Sequence, residues 1–308
     1  MDISRRDLIA AGLAVGSQFL SGPAVADTAP LTLTLIHPDG RNTAYRVLCP
    51  SRPGRWGLVL FSHGANSSNH DYDRLWGSWA DAGYLVIGPN HIDTGPPATQ
   101  LKVSRSALWQ ARLDDTILPL RQQATFNDWA ASRGASLDWT KVCAAGHSFG
   151  AVVAQALAGA RIAAAGEAEP RSTPMAAIAA CIALSPPGPL KGFIPDDAWS
   201  TVAVPSFLQT GDADILPGFV DDWRLRLTGF AGPPNRWTLI GHGVNHYFHG
   251  LICRLTPGAT ADLAALQETA QLSSRFLDAY LRGNADDLNA LQSRARRGDD
   301  GVAIFQQG

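Results

Sequence analysis

The chain alternates between two hydrophobic rhythms. "LTLTLIHP" at 31–38 has an apolar residue at every second position, the period of a half-buried strand. "RWGLVLFSHG" (55–64), "LVIGPN" (85–90) and "KVCAAG" (141–146) are nearly continuous apolar runs, as strands covered on both faces require. Between them the period lengthens. In "DRLWGSWADAGY" (73–84), Leu75, Trp79 and Ala82 recur at helical spacing and Gly83 ends the segment. Residues 107–132 read as largely helical, and "AVVAQALAGA" (151–160) reads as a helix. The segments 175–186, 204–215 and 236–246 each hold one more strand, and residues 260–283 form a long closing amphipathic helix.

This alternation predicts an α/β fold, with a mostly parallel central sheet covered by helices on both faces. In such sheets the loops at the carboxyl ends of strands line the ligand crevice. The segments 91–106 and 186–197 are the two most loop-like and follow strands on that side. No internal repeat or low-complexity linker divides the chain, so residues 27–308 are expected to form one domain.

The junction at 142–159, "VCAAGHSFGAVVAQALAG", turns a strand into a helix around Gly146, His147, Ser148, Phe149 and Gly150. A G-x-S-x-G turn in that setting strains the serine backbone and lifts its Oγ above the sheet as a nucleophile. A serine hydroxyl also needs a base, and the base needs an acid to orient it. Both appear downstream, each in a loop after a strand. "FLQTGDADILP" (207–217) offers Asp214 or Asp212. Turn chemistry favours Asp214, three residues past Gly211, and leaves Asp212 to cap the turn.

"LIGHGVNHYFHG" (239–250) offers three histidines. His246 lies far enough beyond the strand to fold back over the serine, with His249 as second choice. His242 sits too close to the strand end. No H-E-x-x-H or evenly spaced ligand set accompanies them, so no metal is expected. An oxyanion hole needs two donors, and the expected pair is the N–H groups of Phe149 and of Ala65, in the loop "FSHGANSS" (61–68). His63 is expected to brace that loop. Trp109, Tyr247 and Phe248 are candidate pocket walls, with Trp109 assigned to the long loop.

Composition narrows the partners. With 25 basic and 27 acidic residues the formal charge is −2, so nothing points to nucleic acid. Arg5 and Arg6 precede a short, mildly apolar stretch that ends in Ala24-Val25-Ala26, the layout of a cleaved export signal over residues 1–26. It is too short and interrupted for a stable membrane span. The stretch resembles a twin-arginine signal, which implies a bacterial protein handled by that export machinery and working in the periplasm or outside the cell. Cys49, Cys143, Cys181 and Cys253 match no zinc spacing, and their pairing is open between zero and two disulfides.

"VLFSHGANSS", "WADAGYLVIGPNH", "RLDDTILPL", "VCAAGHSFGA", "GDADILP" and "GVNHYF" together resemble the α/β-hydrolase superfamily over about residues 55–250. The likeness is greatest to dienelactone-hydrolase-like esterases and secreted platelet-activating-factor acetylhydrolases. The acetylhydrolases carry their acid after the strand that follows the nucleophile helix. Here that position reads "CIALSPPG", with Ser185 and no carboxylate. The departure returns the acid to Asp214, as in dienelactone-hydrolase-like and polyester-degrading relatives, where G-x-x-D precedes a proline as Gly211, Asp214 and Pro217 do.

The resemblance and the residues together imply a cofactor-free serine ester hydrolase acting on a small-molecule ester, short- to medium-chain or aryl. Lactones, phospholipid acetyl groups and polyesters stay open as substrates, as do peptidase or acyltransferase chemistry and a non-catalytic binding role on the same fold.

Overall fold

The structure is a computed structural model that describes residues 30–96, 102–163, 169–230 and 235–308. Residues 1–26, expected from the sequence to be an export signal, lie outside the described residues. In chain order the elements are β1 (Leu31–Ile36), β2 (Asn42–Leu48), β3 (Gly54–Ser62), α1 (Asp73–Asp81), β4 (Tyr84–Pro89), α2 (Arg105–Arg121) and α3 (Gln123–Ala131). There follow β5 (Ala135–His147), α4 (Phe149–Leu157), the short pair β6 (Arg161–Ile162) and β7 (Arg171–Ser172), β8 (Ile178–Leu184), β9 (Ser206–Gly211) and β10 (Arg236–Gly241). The chain closes with α5 (Leu263–Leu277), α6 (Ala285–Arg297) and β11 (Ala303–Gln307).

Nine strands make one sheet in the order β1-β2-β4-β3-β5-β8-β9-β10-β11. The six central strands, β4 through β10 in that order, pair in parallel, while β1, β2 and β11 join antiparallel at the edges. Successive residues of a strand face opposite sides, so each central strand feeds two cores. In β3, Val59 and Phe61 pack with α1, α5 and α6, whereas Leu58 and Leu60 pack with α2, α3 and α4. In β5, Cys143 and Ala145 take the first face and Val142 and Ala144 the second. A strand buried on both faces has no room for polar positions, which is why these segments read as unbroken apolar runs.

The three-layer α/β architecture is the expected one. Residues 260–283 do not close the chain, however: α6 and β11 follow, and β11 pairs with β10 through Trp237↔Gln307 to Gly241↔Ala303. No disulfide links the four cysteines, all of them described and buried. Cys143 and Cys181 lie in different cores. Among the described residues no helix is long and apolar enough to cross a membrane.

Candidate active site

At the end of β5 the backbone turns through Ser148, whose φ of 56° and ψ of −119° are a conformation L residues rarely hold. Such a residue costs on the order of 1–3 kcal/mol. The Ser148 N–H anchors it by donating to the Leu184 carbonyl of β8 at 2.8 Å. The flanking glycines make the turn possible. A Cβ on Gly146 would collide with the Gly150 carbonyl, and one on Gly150 with the Ser62 carbonyl of β3.

From this elbow a chain of hydrogen bonds runs inward. Ser148 Oγ lies 2.9 Å from His246 Nε2, and His246 Nδ1 lies 2.8 Å from Asp214 Oδ1. The carboxylate accepts, so Nδ1 carries the proton and Nε2 is free to receive one from the serine. Burial lowers the His246 pKa below the ordinary histidine value, with Asp214 opposing the shift in part, so the imidazole is neutral near pH 7. Burial alone would raise Asp214, but its hydrogen bond to His246 and the nearby Arg226 charge outweigh that and hold it ionised.

The rival candidates are engaged elsewhere. Asp212 accepts from His242 at 3.0 Å and from the Gly243 N–H at 2.7 Å, and His249 pairs with Asp262 at 2.6 Å.

Two buried arginines frame the site, and neither was anticipated from the sequence. Arg226 stands with Nη2 2.8 Å from Asp214 Oδ1, an ion pair without hydrogen-bond alignment. Its Nε donates to the Asp214 carbonyl, and its Nη1 to the carbonyls of Ser185 and Pro186. Arg112 of α2 is held bidentately by Asp93 at 3.0 and 2.8 Å. It donates to the carbonyls of His63 at 2.7 Å and Gly64 at 3.2 Å. Tying down these carbonyls fixes the peptide planes of the loop that carries Ala65.

Ala65 and Phe149 both line the cavity beside Ser148 and His246. Phe149 is the first residue of α4, so its N–H has no intrahelical acceptor.

Sequence did hold a signal for Arg112. It shares the buried stripe of α2 with Trp109, Leu113 and Thr116, an arginine at an apolar position. For Arg226 the only trace is its place between Leu225 and Leu227.

Behind the elbow, His147 joins the loops. Its Nε2 donates to the His246 carbonyl at 2.9 Å, which leaves Nδ1 to accept from Tyr72 Oη at 3.0 Å. Tyr72 in turn accepts from the Gly64 N–H at 3.0 Å. His63 braces the loop as expected, with Nδ1 donating to the Gly64 carbonyl at 2.7 Å.

A cavity of about 590 Å³ opens in front of Ser148. Trp109, Phe149 and Phe193 form one wall, with Trp109 edge-on to Phe193 at 5.4 Å. Trp109 reaches it from helix α2 and not from the preceding loop. Phe193 comes from the 186–197 loop and was not singled out in the sequence. Tyr247 lines the cavity, but Phe248 does not: its ring is fully buried in the core beneath α1 and α5. Phe248 and His249 both have φ of 48°, and this tight turn sends Phe248 inward while Tyr247 stays at the cavity. Among the described residues no group of three or more His, Cys, Asp or Glu is arranged to hold a metal.

A nine-stranded, mostly parallel sheet with a nucleophile-type elbow at its centre is the architecture of the α/β-hydrolase superfamily. The chlorophyllase family model matches residues 19–186, more than half of the chain, and the protein belongs to that family of hydrolases. The match covers Ala65, the elbow and β8, and ends before Asp214 and His246. No curated protein matches the chain.

Proposed function

We propose that the protein is a serine carboxylic ester hydrolase. Ser148 Oγ attacks the ester carbonyl while His246 Nε2 takes its proton, and Asp214 stabilises the resulting imidazolium. The N–H groups of Ala65 and Phe149 hold the oxyanion. Collapse of the tetrahedral intermediate breaks the bond to the alcohol, which leaves with the proton from His246. Water, deprotonated by the same nitrogen, then attacks the acyl-enzyme and releases the acid and free Ser148.

The observation that carries this reading is the hydrogen-bonded chain from Ser148 through His246 to Asp214, opening on an apolar cavity. The cavity volume lies in the ordinary range for small-molecule sites, roughly 300–1,000 Å³. Its aromatic wall suits a short- to medium-chain acyl group or an aryl alcohol.

The test is a series of 4-nitrophenyl esters from acetyl to palmitoyl, with chlorophyll, the compound in the family's name, beside them. Hydrolysis should peak at short to medium chains and vanish in Ser148→Ala. A rate rising steadily into long chains would overturn the size assignment, and an alanine variant keeping a tenth of the rate would overturn the nucleophile. We also propose export through the twin-arginine route, on the strength of Arg5-Arg6 and Ala24-Val25-Ala26. Replacing both arginines with lysine should leave the unprocessed chain in the cytoplasm.

A further inference from the structure

The cavity wall is apolar, but its rim carries charge of one sign. Arg105, Lys191 and Arg254 line it, and no aspartate or glutamate does so among the described residues. The chain as a whole holds slightly more acids than bases, so its average composition does not account for an all-cationic rim. Each of the three is exposed, and none is paired with a carboxylate among the described residues.

The three come from separate segments. Arg105 is the first residue of α2, directly after its N-cap Ser104. A helix N-terminus carries partial positive charge and favours acids, and a cation there works against the helix. The first turn of α2 nevertheless has no acid. Lys191 lies in the loop that supplies Phe193, and Arg254 follows the other wall, its guanidinium 4.7 Å from the centre of the Tyr247 ring. That stacking holds Arg254 beside the cavity while its donors stay available to a ligand.

We propose that the natural substrate is an anionic ester, with its scissile carbonyl at Ser148, an apolar body against the aromatic wall, and a carboxylate, sulfate or phosphate at the Arg105–Lys191–Arg254 rim. Cations around a low-dielectric cleft concentrate anions at its mouth and raise the capture rate. The proposal rests on the ester-hydrolase reading and narrows its substrate class. The anion belongs to either the acyl or the alcohol half of the ester, and two pairs of substrates separate these.

Mono-4-nitrophenyl adipate against 4-nitrophenyl hexanoate tests an anionic acyl half. 4-(Butanoyloxy)benzoate against its methyl ester tests an anionic alcohol half. In at least one pair kcat/KM should favour the anion by roughly tenfold at low salt. The preference should fall towards unity in 0.5 M sodium chloride, where charges are screened over a few ångströms. It should fall likewise in the triple variant Arg105→Gln/Lys191→Gln/Arg254→Gln. The salt series needs no variant, so a folding defect in the mutant would not remove the test. Turnover of neutral esters without anion preference in either pair, or a preference that survives both salt and substitution, would overturn the rim assignment alone. No turnover together with no fluorophosphonate label on Ser148 would remove the hydrolase reading itself.

Discussion

Among the described residues the same hydrogen-bonded trio occurs twice. At the cavity, Ser148 Oγ, His246 and Asp214 connect at 2.9 and 2.8 Å. Beneath the loop that carries Ala65, Ser62 Oγ, His91 and Asp115 connect at 2.8 and 2.9 Å, through the same histidine nitrogens. Distance alone therefore does not distinguish a reactive serine from a structural one.

What differs is the surroundings. Ser148 sits at a positive-φ elbow facing a cavity that Ala65 and Phe149 also line. Ser62 ends strand β3, fully buried, and no member of its trio lines the cavity. The bases differ too. Burial pushes His91 far below the ordinary histidine range, with the Arg112 charge adding to the effect, so an imidazolium cannot form there readily. His246 is lowered by burial but keeps the opposing support of Asp214. The carboxyls shift in opposite directions: burial raises Asp115 despite Arg41 and His37, whereas Asp214 is held low. The buried trio has the surroundings of a brace, and the open one has those that the proposed mechanism requires of a proton relay.

The largest expected effect separates the two serines. Ser148→Ala should cut kcat by roughly ten-thousandfold or more, since such groups act as a unit. Ser62→Ala should leave ester turnover within a few fold and instead cost about 1–3 kcal/mol of stability, from His91 losing its buried partner. Equal losses of activity in both would break the comparison.

Next comes Arg226→Met, expected to lower kcat/KM by roughly a hundredfold by loosening Asp214. It should also move the acid limb of the pH profile upward, because the Arg226 charge no longer opposes protonation of His246. A purely structural arginine would leave that limb in place.

Arg112→Lys tests the contact between the two regions, since this side chain touches both Ser62 and the loop that carries Ala65. Loss of the fork should reduce kcat about tenfold with KM little changed, less than deleting an oxyanion donor outright. A change confined to KM would assign Arg112 to substrate binding.

In the wild type the acid limb of kcat/KM should fall below the ordinary histidine pKa of about 6.5, since lower pH protonates His246 and removes the base. Stability should decline over the same direction for a different reason. His63, His91 and His147 are pushed well below their ordinary value by burial. Below about pH 6.5 the unfolded chain therefore binds protons that the folded one refuses, and a melting series from pH 7 to 5 should track the loss. The smallest effect belongs to Asp212→Asn, which should leave turnover unchanged because its carboxylate serves His242 and Gly243.

The sheet and the trio at the cavity were legible because their signals are local. Buried parallel strands announce themselves as apolar runs, and the elbow needs Gly146 and Gly150 at fixed offsets from Ser148. Turn position favoured Asp214 over Asp212, and loop length favoured His246 over His242 and His249. Strand β11 stayed hidden because "AIFQQ" is short and half polar, as edge strands are. Phe248 was misplaced because neighbouring aromatics in a loop give no sign of which one the turn sends inward. Arg112, Arg226 and the Ser62 trio were missed for a further reason. Each depends on partners 12 to 50 residues away, and no periodicity encodes that pairing.

Fluorophosphonate labelling of the folded protein, with peptide mapping of the adduct, tests the Ser148 assignment most directly. A single adduct is expected on Ser148, lost in His246→Ala and retained in His91→Ala. An adduct on Ser62, or none on well-folded protein, would contradict it.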